Sequence, residues 1–235
     1  MDRRVFRAAL KSTLPVMMGY LTMGAAAGVL LSVGTRVAFA PLWGFLTSAL
    51  AISGTLQFVF VDWVKNAPSL IDVAIVTLCI NFRYCLYGFS MLDRFRGLPW
   101  WKKCYMVWTL TDESYALEVE NRVPPGGDSM EYCATVAVLD HSYWVAGVTI
   151  GAIAGSALDF DCKGIDFAMT ALFLVILTDQ CRERAARLPA LLGVGSALVS
   201  RCFFPTGRML IPAIALMLAA MAALHRRLGG EGGAE

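Results

Sequence analysis

The chain has 235 residues, of which 57% are hydrophobic and 16% are charged, and its formal net charge is +2. Soluble domains average about 45–50% apolar and about 25% charged residues, so this composition predicts a protein that crosses a membrane several times. The small net charge argues against nucleic-acid binding, and the sequence contains no P-loop, GxGxxG, HExxH or CxxC motif. We therefore expect no nucleotide, other cofactor or metal. The seven cysteines stand singly and are predicted to be small core residues.

Eight apolar segments approach the roughly 20 residues that a helix needs to cross a bilayer. They cover about residues 12–33, 40–62, 69–91, 104–120, 138–158, 165–180, 189–204 and 208–225. The segment 104–120 is the weakest because it contains several polar and acidic side chains. If it does not cross the membrane and one earlier segment is re-entrant, the count falls below eight, so six or seven spans are the alternatives. We predict an all-α, polytopic transmembrane helical bundle formed by residues 1–225 as one domain, followed by a disordered cytoplasmic tail over 226–235.

The two parts of the chain resemble each other. Small-residue motifs occur at Gly24-x-x-x-Gly28 in the first span and at Gly147-x-x-x-Gly151-x-x-x-Gly155 in the fifth. They favour an internal repeat, with one copy over 12–120 and the other over 138–225, as is common in transporters with broken helices. The alternative is that these glycines only allow helices to pack closely.

The second apolar segment is interrupted by a polar stretch around Ser53, Gly54 and Gln57. Glycine permits an unwound turn, and a helix broken inside the membrane exposes amide N–H groups that suit a carboxylate. Gln57 needs several hydrogen-bond partners in a dry environment. The sequence therefore predicts a ligand site at this break. The alternative is an unbroken helix whose Ser and Thr side chains bond to its own carbonyl oxygens.

The third apolar segment contains Arg83, with Asn81 two residues before it and Tyr87 one helical turn after it. An arginine at the centre of a membrane span costs roughly 2.5–3.5 kcal/mol, so it marks a functional site by default. Its guanidinium can bind a carboxylate through two parallel hydrogen bonds, either from a ligand or from an internal acid. The alternatives are a structural ion pair and a side chain that reaches the membrane surface.

Acids are the expected partners of Arg83. Asp112 and Glu113 are adjacent on the weakly apolar fourth segment, where crowding and burial favour a protonated carboxyl. We predict that Arg83 pairs with one of them and that one of them carries a proton. The alternative is an interfacial helix with both acids in water. Asp166 opens the sixth segment, where it either joins the proton path or caps the helix.

Taken together, these residues resemble the large subunit of the AzlC-like branched-chain amino-acid exporters, the azaleucine-resistance family. The matching motifs are Ser53-Gly54-x-x-Gln57-Phe58, Asn81-x-Arg83-x-x-x-Tyr87-Gly88, Thr111-Asp112-Glu113 and Gly164-Ile165-Asp166-Phe167. They occur in the family's order and cover the chain from about residue 12 to 225. Tyr84 departs from the family pattern, in which histidine is common at this position.

The resemblance implies a bacterial inner-membrane exporter of valine, leucine, isoleucine or methionine, with proton coupling and a small hydrophobic AzlD-like partner subunit. The residues assigned to substrate binding are Ser53, Gly54, Gln57, Phe58, Asn81, Arg83 and Tyr87, and those assigned to proton coupling are Asp112, Glu113 and Asp166. The rival interpretation is a membrane scaffold whose buried polar groups only hold helices together. An intramembrane enzyme is less favoured, because no metal-ligand set or Ser/Lys dyad stands out.

The distribution of basic residues predicts the topology, because lysine and arginine favour the cytoplasmic side. They cluster in the N-terminal tail, in the 182–187 turn and after the last span, so we expect all three on the cytoplasmic side. In a variant without native cysteines, a cysteine introduced at residue 184 should react with an impermeant maleimide only from that side. Labelling from the periplasmic side would contradict the topology.

Overall fold

The computed structural model describes residues 2–35, 37–157, 174, 177–178, 181–182, 184–204 and 209–231. All of the regular structure in these residues is helical, which confirms the predicted all-α fold. The sixth predicted span, including Asp166, falls largely outside the described residues.

Helices follow one another along the described residues. They are α1 (Arg3–Thr35), α2 (Ala40–Leu50), α3 (Gly54–Asn66), α4 (Leu70–Met91), α5 (Trp100–Trp108), α6 (Asp112–Glu120), α7 (Ser129–Ala157), α8 (Arg184–Phe203) and α9 (Leu210–Glu231). Three of them, α1, α4 and α7, are long and apolar enough to cross a membrane. Helix α9 continues past residue 225, where the sequence predicts a disordered tail. The chain is a multi-pass membrane protein, and the count of eight spans stays a prediction.

The chain divides into two compact units. The first consists of Met1–Pro68 and Ile80–Ile165, and it contains α1–α3, the C-terminal part of α4, and α5–α7. The second consists of Ser69–Cys79 and Asp166–Glu235, and within it α8 packs against α9. The predicted site residues that the structure describes all lie in the first unit.

Helices α1 and α7 form the tightest contact in the described chain. Added at Gly147, a Cβ atom would lie 2.7 Å from the backbone oxygen of Tyr20, and at Gly24 it would lie 3.0 Å from the backbone nitrogen of Val148. Ser32 donates a hydrogen bond of 2.7 Å to the backbone oxygen of Ala152 on the other helix. The glycine motifs of the two predicted repeats therefore pack against each other, as the helix-packing interpretation requires. The internal repeat stays a prediction.

The predicted break in the second segment is confirmed. Helix α2 ends at Leu50, residues 51–53 are not helical, and α3 begins at Gly54. Ser53 is the N-cap residue, and its hydroxyl accepts a hydrogen bond of 3.4 Å from the amide of Leu56. The unbroken-helix interpretation is therefore wrong, although Thr47 does bond to a carbonyl one turn before it, at Trp43.

The segment 104–120 differs from the single helix expected over it. Helix α5 ends at Trp108 and α6 begins at Asp112, so the two are separated by Thr109–Thr111. A capping box stops the first helix from continuing: the Thr111 hydroxyl accepts from the Ser114 amide, and the Ser114 hydroxyl accepts from the Thr111 amide. These reciprocal bonds satisfy backbone groups that a continuous helix would have satisfied internally.

The cysteine prediction is largely wrong for the cysteines that the structure describes. Cys133 is buried in a core cluster with Phe95, Met106 and Tyr132. Cys181 is half-buried, and four others are exposed on the protein surface, namely Cys79, Cys85, Cys104 and Cys202. In a membrane protein an apolar side chain is equally stable against lipid, so hydrophobicity alone does not identify core positions.

The α1–α7 contact predicts a strong sensitivity to a single methyl group. At Gly28 and Gly151 the added Cβ would overlap the backbone of the facing helix, at Val148 and at Ala25 respectively. Gly28→Ala and Gly151→Ala should therefore lower the free energy of unfolding by about 1–3 kcal/mol, the usual cost of overpacking. Unfolding of the purified protein by a denaturing detergent measures this change.

Gly19→Ala is the matched control, because no atom lies within 4 Å of its added Cβ on the same helix. Alanine favours a helix over glycine by up to about 1 kcal/mol, so this variant should be unchanged or more stable. Equal destabilisation of all three variants would mean that α1 and α7 are not held by close backbone contact.

Candidate functional site

A buried aromatic pair lies at the centre of the first unit. Tyr20 of α1 and Trp144 of α7 are 8% and 4% exposed. Their rings meet edge to face, with centroids 5.7 Å apart. The N-termini of both interrupted helices, α3 and α6, contact this pair. It therefore joins the two breaks into one candidate site.

Helix α6 meets the pair through Tyr20. The Tyr20 hydroxyl lies 2.6 Å from the Thr111 hydroxyl and donates a hydrogen bond of 2.8 Å to Glu113. Glu113 lies in the first turn of α6, where the helix dipole stabilises a negative charge. The carboxylate of Glu113 is therefore satisfied as an anion and lies at the start of a helix.

Helix α3 meets the pair through Trp144. A Cβ atom added at Gly54 would lie 3.5 Å from the Trp144 ring, so the start of α3 rests on the indole. The first amides of a helix have no partners within it, and here they lie beside buried Ser53. Gln57 is also buried, and its amide nitrogen donates a hydrogen bond of 2.8 Å to Thr47 of α2. This bond ties the two sides of the break together.

A second polar cluster joins α4 to α6. A guanidinium nitrogen of Arg83 lies 2.6 Å from one carboxylate oxygen of Asp112, and the Tyr87 hydroxyl donates a 2.9 Å hydrogen bond to the other. Tyr87 stacks on Tyr115, with centroids 4.5 Å apart. The predicted pairing of Arg83 with one of the two acids is confirmed, and its partner is Asp112.

Both partners in this ion pair are partly accessible. The side chains of Arg83 and Asp112 are 38% and 40% exposed, and another guanidinium nitrogen of Arg83 donates to the Tyr84 hydroxyl at 3.2 Å. The Tyr84 ring also lies under the guanidinium, 5.0 Å from its central carbon. Tyr84 therefore contributes to holding the arginine.

The remaining predicted residues divide into three cases. Phe58 is buried in α3. Asn81 lies two residues before Arg83 and has a buried side-chain oxygen that meets no donor among the described residues. Asp166 lies outside the described residues, so its two interpretations both stay open. Among the residues that were described, no group of three His, Cys, Asp or Glu side chains is arranged to hold a metal.

Sequence reasoning missed four buried residues next to this site: Tyr20, Glu118, Asp140 and Trp144. Asp140 was placed at the edge of a span because the apolar run starts near residue 138, but α7 begins at Ser129 and Asp140 lies well inside it. An acid inside a long helix was therefore the available signal. No sequence signal identified Tyr20, since its importance comes from the α1–α7 contact.

The fold and the site together define a multi-pass helical membrane protein in which two interrupted helices begin at a buried polar centre. The model of the AzlC protein family matches residues 15–158, and the chain belongs to this family. No solved structure matches the chain.

Three relatives illustrate the relationship. The chain is 33% identical over 223 residues to the branched-chain amino acid transport protein AzlC of Bacillus subtilis strain 168, with 95% of this chain and 86% of that protein covered. It is 32% identical over 225 residues to an uncharacterized membrane protein of Helicobacter pylori strain J99, with 96% and 97% covered. It is 28% identical over 201 residues to the inner membrane protein YgaZ of Escherichia coli strain K12, with 80% and 81% covered. These relationships support a transport role.

The Arg83–Asp112 contact predicts a specific energetic coupling. Arg83→Gln and Asp112→Asn should each destabilise the protein, and the double variant should lose less than the sum, by about 0.5–3 kcal/mol. We expect the lower part of that range because both groups are partly exposed and solvent weakens their attraction. The measurement is a double-mutant cycle on the free energy of unfolding.

Two controls define the result. Arg83→Gln combined with Glu113→Gln should be additive, because Glu113 bonds to Tyr20 instead. The surface pair of Arg96 and Asp93, whose side chains are 80% and 83% exposed, should show almost no coupling. Coupling of Arg83 to Glu113 but not to Asp112 would contradict the observed pairing.

Proposed function

We propose that the chain is the large subunit of an exporter of branched-chain amino acids in the bacterial inner membrane. The observation that carries the proposal is the meeting of two helix N-termini at the buried Tyr20–Trp144 pair, in a chain with an arginine–acid pair on the adjoining helix. A free amino acid has one carboxylate and one ammonium group, and this centre offers groups suited to both. The name of the Bacillus subtilis relative supports the same substrate class.

The substrate carboxylate binds at the start of α3. The amides of Gly54 and Thr55 lie in the first helical turn, so they carry partial positive charge and have no partners within the helix. The hydroxyl of Ser53 and the amide of Gln57 flank the same break and add neutral polar contacts. This arrangement resembles the broken-helix sites of other secondary transporters.

Arg83 provides a second carboxylate contact that changes during transport. In the structure it is bound to Asp112, so a substrate carboxylate would have to replace that acid at the guanidinium. Tyr87 remains with Asp112 and keeps one hydrogen bond on the released carboxylate. Asn81 lies close to Arg83 in sequence on α4, and its unpartnered oxygen is suited to the substrate ammonium.

The aliphatic side chain is received by apolar surfaces around α3. A cavity of about 310 Å³ lies between α2 and α3, on the side of the Gln57–Thr47 contact. Its apolar lining includes Trp43, Leu46, Leu50, Phe60 and Trp63. Phe58, which the sequence assigned to substrate binding, is buried on the same helix but outside this lining. Each buried methylene contributes about 0.8 kcal/mol, so neighbouring substrates are poorly distinguished and Val, Leu, Ile and Met are all accepted.

Transport is driven by protons and requires a small AzlD-like partner subunit. The acids assigned to coupling are Asp112, Glu113 and Asp166, of which Glu113 lies closest to the aromatic centre through its bond to Tyr20. The sequence has no nucleotide-binding motif, so a gradient supplies the energy. The competing function is a scaffold that moves no substrate, in which the same polar groups only hold α3, α4, α6 and α7 together.

Transport in inverted membrane vesicles tests this proposal. Vesicles from cells that produce the chain with its partner should accumulate labelled leucine when a proton gradient is imposed. Accumulation should stop when the gradient is dissipated, and it should be absent when the partner is omitted. Gln57→Leu should abolish it, because an apolar side chain cannot satisfy the polar groups of the break.

Two outcomes would contradict the proposal. If no aliphatic amino acid moves with the partner present, and none raises the melting temperature of the purified protein, the scaffold is correct. If accumulation persists without a proton gradient, the coupling assignment is wrong. Asp128→Asn is the control variant, because this acid lies in the loop before α7, away from the two breaks.

A further inference from the structure

Two acids in the first unit are buried without any hydrogen-bond donor. Glu118 of α6 is 0% exposed and Asp140 of α7 is 1% exposed. None of their four carboxyl oxygens has a hydrogen-bond partner among the described residues. The indole nitrogen of Trp144, one helical turn after Asp140, is likewise buried and unpartnered there. Among the described residues, Glu118 and Asp140 are the acids in which both side-chain oxygens are buried and unpartnered.

The neighbouring acids of α6, in contrast, accept bonds from side-chain donors. Asp112 is bound by Arg83 and Tyr87, and Glu113 accepts from Tyr20. Both are therefore stabilised as anions by donors that Glu118 and Asp140 lack.

Several charged or titratable groups lie near the two acids. Glu118 lies within electrostatic reach of Arg94, which follows α4, and of Asp140 on α7. The two terminal nitrogens of the Arg94 guanidinium are bound elsewhere: one donates to the backbone oxygen of Glu118 at 2.6 Å and the other to the Ser129 hydroxyl at 3.2 Å. Asp140 in turn lies within reach of Glu113 and of the Tyr20 hydroxyl. The thiol of Cys133 is the remaining titratable group beside Glu118.

An ionised carboxyl in such a place is strongly unfavourable. Burial removes its hydration, no donor replaces the lost water, and each acid would repel the negative charge of the other. Groups in this position normally neutralise by taking up a proton. Asp140 lies within electrostatic reach of both Glu118 and Glu113.

We propose that Glu118 and Asp140 form a buried proton-binding pair that exchanges protons with Glu113 at the candidate substrate site. The proton leaves the Asp140 carboxyl for the Glu113 carboxylate, Asp140 is reprotonated from Glu118, and a proton taken up from bulk water restores Glu118, so charge is conserved in each transfer. The role in transport rests on the proposed function, whereas the protonation of the pair does not. The pair adds two acids to Asp112, Glu113 and Asp166, which the sequence assigned to coupling.

Infrared spectroscopy of the purified full-length protein tests the protonation directly. A protonated carboxyl has a carbonyl stretching band that a carboxylate lacks and that shifts in D₂O. Glu118→Gln and Asp140→Asn should each remove part of this band at neutral pH. Glu120→Gln is the matched control, since it changes an exposed acid on the same helix and should leave the band intact. A band unchanged in both test variants would overturn the proposal.

Thermal stability provides a second readout that does not depend on the band. Gln and Asn resemble protonated acids, so both variants should fold and melt close to the wild-type temperature. If the pair instead binds a metal cation, sodium chloride should raise the wild-type melting temperature where choline chloride does not, and the variants should lose this shift. That result would also overturn the proposal.

Transport assays then separate the pair's role from the proposed function. In vesicles with the partner subunit, Glu118→Gln and Asp140→Asn should lose accumulation driven by protons but keep the exchange of labelled for unlabelled leucine. If the two variants keep both proton-driven accumulation and exchange, the coupling role is overturned. If the wild type moves no leucine at all, the proposed function fails, while the infrared result still decides whether the pair is protonated.

Discussion

The close approach of α1 and α7 is the constraint on which the rest of the described site depends. Glycines on both helices let the backbones touch, which brings Tyr20 within ring contact of Trp144. In a bilayer, where lipid is as apolar as a leucine side chain, such packing is a main source of helix association. A methyl group inserted at Gly151 would separate the aromatic pair as well as the helices. The same glycines therefore determine both the packing of α1 against α7 and the geometry of the site.

The two helix breaks use different chemistry to reach the same arrangement. At the start of α3, Ser53 caps the helix alone, and Gln57 bonds back to Thr47 on α2. At the start of α6, Thr111 and Ser114 cap each other. Either way a capping side chain satisfies one of the freed amides, that of Leu56 at α3 and that of Ser114 at α6, which helps a membrane protein to hold non-helical chain. Each break then leaves a helix N-terminus facing the aromatic pair.

Local sequence patterns predicted much of this structure, and long-range contacts account for most of what was missed. The Ser53–Gly54 break and the pairing of Arg83 with a nearby acid follow from residue types whose cost in a membrane is high. The division of 104–120 into two helices could have been found from the Thr111–Ser114 capping pattern, which hydropathy alone does not detect. Tyr20 could not be identified, because its partner Glu113 is brought to it only by the fold.

The acids of the first unit lie in two kinds of environment. Asp112 and Glu113 sit at a helix N-terminus with an arginine or tyrosines as donors, so their negative charge is compensated. Glu118 lies later on the same short helix and faces α7, where it meets Asp140 and receives no donor. Position along α6 thus determines the environment of each acid. Under the proposal, a proton passes from the buried pair to Glu113 when the contacts that compensate the Glu113 charge change, so the coupling depends on the hydrogen bond that Glu113 accepts from Tyr20.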